Sequence, residues 1–355
     1  MYKKFVMGIA AMAALTLVSC SSDDLDSVSG NSSKNEAISF DGYLGRSAVA
    51  VNGSRGSVLD KDALQKLSET DGAFGVFGNY SKEDASEGYG QNLFKNQKVF
   101  YSEPNWTYSP YKYWLPQGHI DFLAYAPYDA NTELTDSKSK ISFTVDKDIA
   151  KQKDLLWANA AGQTQNNNPV TFTFNHALSR LGYTVKLKKD CANDVTITLK
   201  KITLAGSQNG TDGAFYETGT IDLSKGNKDE GIWSAQTGQQ KFDWFSGAYP
   251  VNSSTASHPT DPDSKTDYLF VIPQDFSSLA PDANKLYVIV EYSIQYNDIS
   301  EVFTNKVSKQ IIQKFEQGKA YTINLTIGRP IDFDVTVVTG WDPTDGTPIN
   351  IDSWE

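Results

Sequence analysis

His176 and Ser179 are the residues whose types and spacing come nearest to catalytic chemistry. An imidazole three positions before a hydroxyl could act as the general base for a serine nucleophile. The pair stands, however, at a break between two stretches that alternate apolar and polar side chains. A histidine at such a junction more often forms a structural hydrogen bond. We therefore predict a structural role for His176.

Other side chains capable of catalysis or metal binding do not form a recognisable site. The remaining histidines, His119 and His258, have no second His or Cys at metal-ligand spacing. Motifs of α/β-hydrolases, P-loop proteins and dinucleotide-binding proteins are not present, and nothing selects two carboxylates for glycoside hydrolysis. We predict no enzyme activity, no cofactor and no metal. Calcium binding stays open for two sets of loop carboxylates, although their spacing differs from an EF-hand loop: Asp261, Asp263 and Asp267, and Asp342, Asp345 and Asp352.

The charge of the chain argues against a nucleic acid partner. The formal net charge is -11, and the 355 residues contain no long basic run.

The first 20 residues have the pattern of a secretory signal peptide. Lys3 and Lys4 precede the apolar stretch Phe5–Val18, which is too short to span a membrane. The stretch ends in Leu-Val-Ser-Cys, which resembles a bacterial lipobox and predicts lipidation of Cys20 as the mature N-terminus. The alternative is an ordinary signal peptide with an incidental cysteine. Residues 21–36 are rich in Ser, Asp, Gly and Asn, which predicts a flexible tether.

The elements around the His176 break are predicted to be strands. Val170, Phe172 and Phe174 alternate with polar residues before the break, and the same period of two resumes over 181–187. Similar short alternating stretches with turn residues between them recur along the chain, and no strand–helix–strand rhythm is seen. This pattern is typical of all-β proteins built as sandwiches, with few short helices. We predict two tandem β-sandwich domains over 37–175 and 176–340, with a tail over 341–355.

Aromatic residues are dense between Trp106 and Tyr128. Such density could form a platform that stacks against sugars, but it more often belongs to a protein core, and the core interpretation is favoured here.

Taken together in their order, several short motifs resemble the fimbrillin family of Bacteroidales, the Mfa-like lipoprotein pilins of type V pili. The resemblance spans nearly the whole chain. Its carriers are Val18–Cys20, Ile38–Phe40 with Gly45–Ser47, Phe74–Phe77, Tyr113–Pro116 with Phe122–Pro127, Asp154–Ala158, Phe172–Leu181, Val271–Gln274 and Gly318–Thr322.

The resemblance implies that both sandwiches are transthyretin-like. It also implies export to the outer-membrane surface as a lipoprotein, followed by cleavage after an arginine by a trypsin-like protease. Arg46 suits this cleavage better than Arg55, because it follows the first strand almost immediately. Cleavage there would release the lipid anchor together with the strand that carries Ile38 and Phe40.

Loss of that strand would leave an apolar groove with unpaired backbone groups, which a strand from the next subunit could fill. Such a head-to-tail contact does not close, so a filament results. Two donor segments are candidates. Ile331–Val338 would insert Val335 and Val337, and Thr347–Trp354 would insert Ile349 and Ile351.

The sequence thus predicts a non-enzymatic structural subunit of a surface fimbria, with other fimbrial subunits and the outer membrane as partners. The alternative is a tip adhesin or surface lipoprotein that binds glycans or proteins of host or bacterial surfaces. It would use the aromatic cluster or the loop Val251–Thr266.

Overall fold

Strands make up most of the chain in the computed structural model, which describes residues 36–44, 65, 73–82, 88–135, 138–189, 194–226, 229, 231–254, 256–257, 268–328 and 333–339. The first eight strands are β1 (Phe40–Leu44), β2 (Ala73–Ser81), β3 (Phe94–Ser102), β4 (Asn105–Thr107), β5 (His119–Ala126), β6 (Lys140–Thr144), β7 (Leu156–Gln163) and β8 (Val170–His176). Single-turn 3-10 helices cover Ile149–Lys151 and Gln165–Asn167. No helix in the described ranges is long and apolar enough to cross a membrane. The all-β prediction is confirmed.

Thirteen further strands follow the break after His176. They are β9 (Ser179–Leu187), β10 (Val195–Ala205), β11 (Thr218–Asp222), β12 (Trp233–Thr237), β13 (Phe242–Val251), β14 (Ala256–Ser257), β15 (Leu269–Val271), β16 (Gln274–Asp275), β17 (Leu286–Tyr296), β18 (Val302–Ile311), β19 (Lys314–Phe315), β20 (Ala320–Ile327) and β21 (Phe333–Thr339).

The strands of the first half form one seven-stranded sheet in the order β1-β8-β7-β5-β2-β3-β4. Strands β1 and β4, at its two ends, also contact each other, so the sheet curls around its own core. One face carries a cluster of aromatic side chains, including Phe74, Phe122 and Phe172. Gly75 lets β2 pass close to a ring, since a Cβ there would lie 2.3 Å from Cε1 of Tyr125.

The second half builds a four-stranded sheet, β13-β10-β17-β18, and a five-stranded sheet, β14-β9-β20-β21, with β15 paired to β9. Apolar side chains from both sheets join one large cluster that includes Val185, Leu204, Val288 and Ile323. A small sheet of β12, β11 and β6 and the pair β16–β19 complete the pairing. Strand β6 from the first half pairs with β11 from the second. The division into sandwiches over 37–175 and 176–340 remains a prediction.

The predicted strand pair around His176 is confirmed as β8 and β9. Along β8, Val170, Phe172 and Phe174 are buried, whereas Thr171 and Thr173 are exposed. Alternation therefore identified both the strand and the face that points to the core.

Candidate functional site

Strand β1 lies at one edge of the seven-stranded sheet, where it pairs in parallel with β8. The register runs from Phe40 opposite Val170 to Leu44 opposite Phe174. Strand β8 pairs with β7 only through Asn175 and His176. In the described strands, therefore, β1 is the single ladder partner of the first five residues of β8. Its removal would expose the backbone groups that now face it.

Two side chains anchor the first strand in the aromatic core. Ile38 is 1% exposed and Phe40 is 4% exposed. The Phe40 ring packs against four other rings at centroid distances of 5.5 to 5.7 Å, and these rings belong to Phe94, Tyr108, Phe122 and Phe172. Burial of an Ile or Phe side chain contributes about 1.5–3 kcal/mol. Both residues therefore fill deep apolar positions in the groove.

Asn168 holds the backbone just before β1. Its Oδ1 accepts hydrogen bonds from the backbone N–H and the hydroxyl of Ser39, both at 2.9 Å. Its Nδ2 donates to Glu36 Oε1 at 2.8 Å and to the carbonyl of Ala37 at 3.1 Å. The backbone N–H of Val170 donates to the carbonyl of Ser39 at 2.9 Å. One amide side chain thus fixes where the first strand begins to pair with β8.

The other side of the groove is formed by the segment around Lys112. Ile38 N donates to the carbonyl of Lys112 at 2.8 Å, and Trp114 N donates to the carbonyl of Glu36 at 3.0 Å. The Tyr108 hydroxyl donates to the carbonyl of Ile38 at 2.8 Å. Burial raises the pKa of Tyr108 to about 12, so the phenol keeps its proton at neutral pH. The chain before β1 is therefore bonded on both sides.

At Gly42 of β1, little space separates the strand from the rings of the core. A Cβ at Gly42 would lie 3.2 Å from Cε2 of Phe174 and 3.7 Å from Cε1 of Phe74. Since the first contact is tighter than most real Cβ contacts, a larger side chain would push on a buried ring. The groove thus accepts large apolar groups at Ile38 and Phe40 and a small residue at Gly42.

The first pair of predicted donor residues already lies in the core of its own chain. Val335 and Val337 on β21 are 7% and 3% exposed. Strand β21 pairs antiparallel with β20 along its whole length, with Leu325 opposite Val335 and Ile323 opposite Val337. It lies at the edge of the five-stranded sheet.

Five other predicted site residues lie outside the described residues, and their roles stay predictions. They are Cys20, Arg46, Arg55, Ile349 and Ile351. The acidic sets of the two loops, Asp261 to Asp267 and Asp342 to Asp352, also lie outside. Within the described ranges, no three His, Cys, Asp or Glu side chains are grouped so that they could hold a metal ion.

His176 forms a structural contact, as predicted. Its Nδ1 lies 2.6 Å from Oδ2 of Asp154, and both side chains are buried. The Ser179 hydroxyl donates to the carbonyl of Glu316 at 2.8 Å instead of facing a base. Arg180, the next residue, stacks on the ring of Tyr268 at 4.3 Å.

Most of the aromatic cluster belongs to the core. Trp106, Tyr108 and Trp114 are less than a tenth exposed. Tyr111 and Tyr113 are 58% and 51% exposed, and Tyr113 forms a bridge to Ala37 beside the groove. These two rings are the part of the cluster that remains available to a sugar.

Sequence reasoning missed Asn168 and Tyr108 as groove residues. Asn168 and Ser39 are 129 positions apart, and Tyr108 and Ile38 are 70 apart. Gly42 is the third residue of β1, and a glycine inside a strand often marks close approach of other groups.

Comparison with known proteins supports the assignment of this fold. The family model described as Fimbrillin-like matches residues 63–341. A fimbrial protein from Bacteroides vulgatus ATCC 8482 has a similar structure at a TM-score of 0.60 and 18% identity, covering 86% of this chain and 99% of that one. A candidate cell adhesion protein from Bacteroides eggerthii DSM 20697 gives a TM-score of 0.47 at 12% identity, with 88% and 98% of the two chains covered. A search among curated proteins found no match.

The family match extends over well more than half of the chain, and we conclude that the chain belongs to the fimbrillin-like family of non-enzymatic fimbrial proteins.

Proposed function

We propose that this chain is a structural subunit of a type V surface fimbria that polymerises by exchange of its first strand. The precursor reaches the outer-membrane surface as a lipoprotein anchored through Cys20. Cleavage after Arg46 then frees Ile38–Leu44, and a strand from another subunit takes its place.

The observation that carries this proposal is the position of β1. It is a short edge strand at the end of the described sheet order, it fills an aromatic groove, and it is the ladder partner of Val170–Phe174. A groove of this kind offers a new strand both backbone hydrogen bonds and pockets for alternate side chains. Because donor and groove lie on different parts of the subunit, repeated exchange gives an open filament.

The chain offers an arginine-specific protease few targets. Its arginines are Arg46, Arg55, Arg180 and Arg329. Arg180 is buried in β9, and Arg329 precedes a proline. Cleavage of the folded precursor should therefore concentrate at Arg46 or Arg55.

The test is limited proteolysis of the purified precursor with an arginine-specific protease, followed by N-terminal sequencing and electron microscopy. We expect a new N-terminus at Ser47 and the appearance of filaments. Arg46→Gln should prevent both, whereas the matched variant Arg55→Gln should prevent neither. Cleavage at Arg46 that yields only monomers would contradict the proposal.

A further inference from the structure

A cleft of about 1180 Å³ opens between β3, the loop after β5 and strand β6. Its floor is apolar, because Tyr125, Ile141 and Leu155 are buried there. Phe100 on β3 and Phe143 on β6 line it with half-buried rings. Sites for drug-sized ligands measure about 300–1,000 Å³. This cleft is therefore large enough for a ligand made of several small units.

Hydrogen bonds fix the walls of the cleft. In the loop after β5, the carbonyl of Asp129 accepts from Asn96 Nδ2 at 2.8 Å, and its Oδ1 accepts from Asn131 N at 2.9 Å. On the opposite wall, buried Gln152 donates through Nε2 to the carbonyl of Asp146 at 3.0 Å and accepts from Phe270 N at 2.8 Å. A site with walls held in this way costs a ligand little ordering of the protein.

Strand β6 turns backbone groups into the cleft. It is the end strand of the order β12-β11-β6. Val145 N donates to the carbonyl of Glu217, and Leu223 N donates to the carbonyl of Ser139, both at 2.9 Å. In an antiparallel ladder, successive residues turn their backbone groups alternately toward the partner strand and away from it. The N–H and C=O groups of Ser142 and Thr144, which line the cleft, therefore point away from β11.

The charges that line the cleft are balanced. Equal numbers of positive and negative side chains offer an ionic ligand no net attraction, which favours a neutral ligand. These side chains are Lys98, Lys151, Lys153, Asp129, Glu133 and Asp146.

A sugar ring carries C–H groups on its faces and hydroxyl groups around its edge. The negative face of an aromatic ring attracts such C–H groups, and each hydroxyl both donates and accepts a hydrogen bond. We propose that the cleft binds a neutral oligosaccharide, with one sugar ring stacked on Phe100 and hydroxyls bonded to the backbone of Ser142 and Thr144. This site adds a ligand to the proposed fimbrial subunit and does not depend on strand exchange.

An extended peptide is the rival ligand for the open edge of β6. The carbonyl of Lys140 already accepts a hydrogen bond from Thr135 N at 2.8 Å, and β6 ends at Thr144. Ser142 and Thr144 are then the residues of β6 left to bond a peptide, which limits it to a short ladder. An oligosaccharide needs no longer edge, because each of its hydroxyls bonds separately.

The test uses the purified full-length precursor, fluorescently labelled, on a printed array of neutral, sialylated and sulfated oligosaccharides. We expect binding to neutral oligosaccharides above that to the charged ones. Absence of binding to every neutral oligosaccharide, or a preference for charged ones, overturns the proposal. A matched array of random decapeptides is read in parallel. Binding to decapeptides in place of oligosaccharides makes the cleft a peptide site and also overturns it.

Variants locate the binding in the cleft. Titration with the neutral oligosaccharide that binds most strongly should show about tenfold weaker affinity for Phe100→Ala, because one stacked ring is lost. The matched variant Tyr113→Ala removes an exposed ring beside β1 and should leave the affinity unchanged. The reverse result would place the sugar beside β1 and overturn the assignment to the cleft.

A backbone variant gives a second readout. Thr144→Pro removes an N–H that points away from β11, a change that an edge strand tolerates. It should weaken binding about fivefold through the lost hydrogen bond. Melting temperatures show whether each variant is folded. Unchanged affinity in a folded Thr144→Pro variant overturns the role of the β6 edge.

Discussion

Single polar groups make long-range contacts at two places in this chain, the groove beside β1 and the junction between β8 and β9. Tyr108 donates its hydroxyl to the chain just before β1, and Asp154 contacts His176 at the junction. Neither contact involves residues close in sequence. Each contact joins one strand or loop to another, so its loss should weaken the attachment between those two segments.

Alkaline pH should loosen the first strand through Tyr108. Burial raises the pKa of Tyr108 to about 12 from 10, so the folded state favours the neutral phenol. This contribution to stability is complete below about pH 10 and is lost as the pH rises through about 12. Tyr108→Phe should reduce the alkaline fall in the free energy of unfolding, measured by denaturant titration at several pH values.

Tyr321 provides the comparison, because burial also raises its pKa to about 12. It lies on β20, which belongs to a different sheet from β1. Tyr321→Phe should reduce the alkaline fall as well, but only Tyr108→Phe should alter release of the first strand from the cleaved precursor. Equal release by both variants would contradict a special role for Tyr108.

Loss of Asp154 should strongly destabilise the protein. Its carboxylate lies 2.6 Å from His176, is fully buried, and also accepts a hydrogen bond from Leu155 N at 2.8 Å. Burial lowers the pKa of nearby Arg180, and Asp154 acts against that shift. Removal of one partner from such a buried group costs about 3–5 kcal/mol. Asp154→Ala should show this loss in chemical denaturation, whereas Lys147→Ala, which removes the exposed partner of an ion pair with Glu217, should show little change.

At the scale of elements, the strand that the proposed function releases has a short backbone ladder. Only five residues of β1 form ladder pairs, and Asn168 supplies four hydrogen bonds to the chain before it.

Asn168→Ala should therefore accelerate release of the first strand. The substitution leaves the N–H and hydroxyl of Ser39 without their acceptor, which costs about 1–3 kcal/mol. After cleavage at Arg46, the N-terminal peptide should dissociate faster, as followed by size-exclusion chromatography. Asn175→Ala removes an amide from β8 itself, where the side chain donates to the nearby carbonyl of Thr173, and should leave the rate unchanged. Equal dissociation rates for the two variants would contradict this role of Asn168.

Local pattern predicted the strands but not their partners. Period-two alternation identified β8, β9 and the buried faces of both, because this signal lies within a few consecutive residues. The first strand was predicted to carry both Ile38 and Phe40, whereas β1 starts at Phe40. Residues 36–38 form their hydrogen bonds with Lys112, Trp114 and Asn168 instead of a regular ladder. The pairing of β6 with β11 also escaped prediction, since register between distant strands depends on tertiary packing.

At the scale of the whole molecule, the two halves share packing. Strand β5 buries both faces, with Phe122 in the aromatic cluster of the first sheet and Leu123 in the large cluster of the second half. Trp157 Nε1 donates to the carbonyl of Lys225 at 3.1 Å, which joins β7 to the chain after β11. The described residues from Glu36 onward accordingly form one compact unit.

The shared packing predicts that the precursor unfolds in one cooperative transition. Ile221 on β11 is fully buried and pairs with Ile141 on β6, so Ile221→Ala should cost about 2–5 kcal/mol. Because the contact joins both halves, amide hydrogen exchange should quicken by similar factors in β8 and in β20. Calorimetry should show one transition for the unsubstituted chain and one, at lower temperature, for the variant. Two separate transitions, or faster exchange in β20 alone, would mean that the two sandwiches unfold independently of each other.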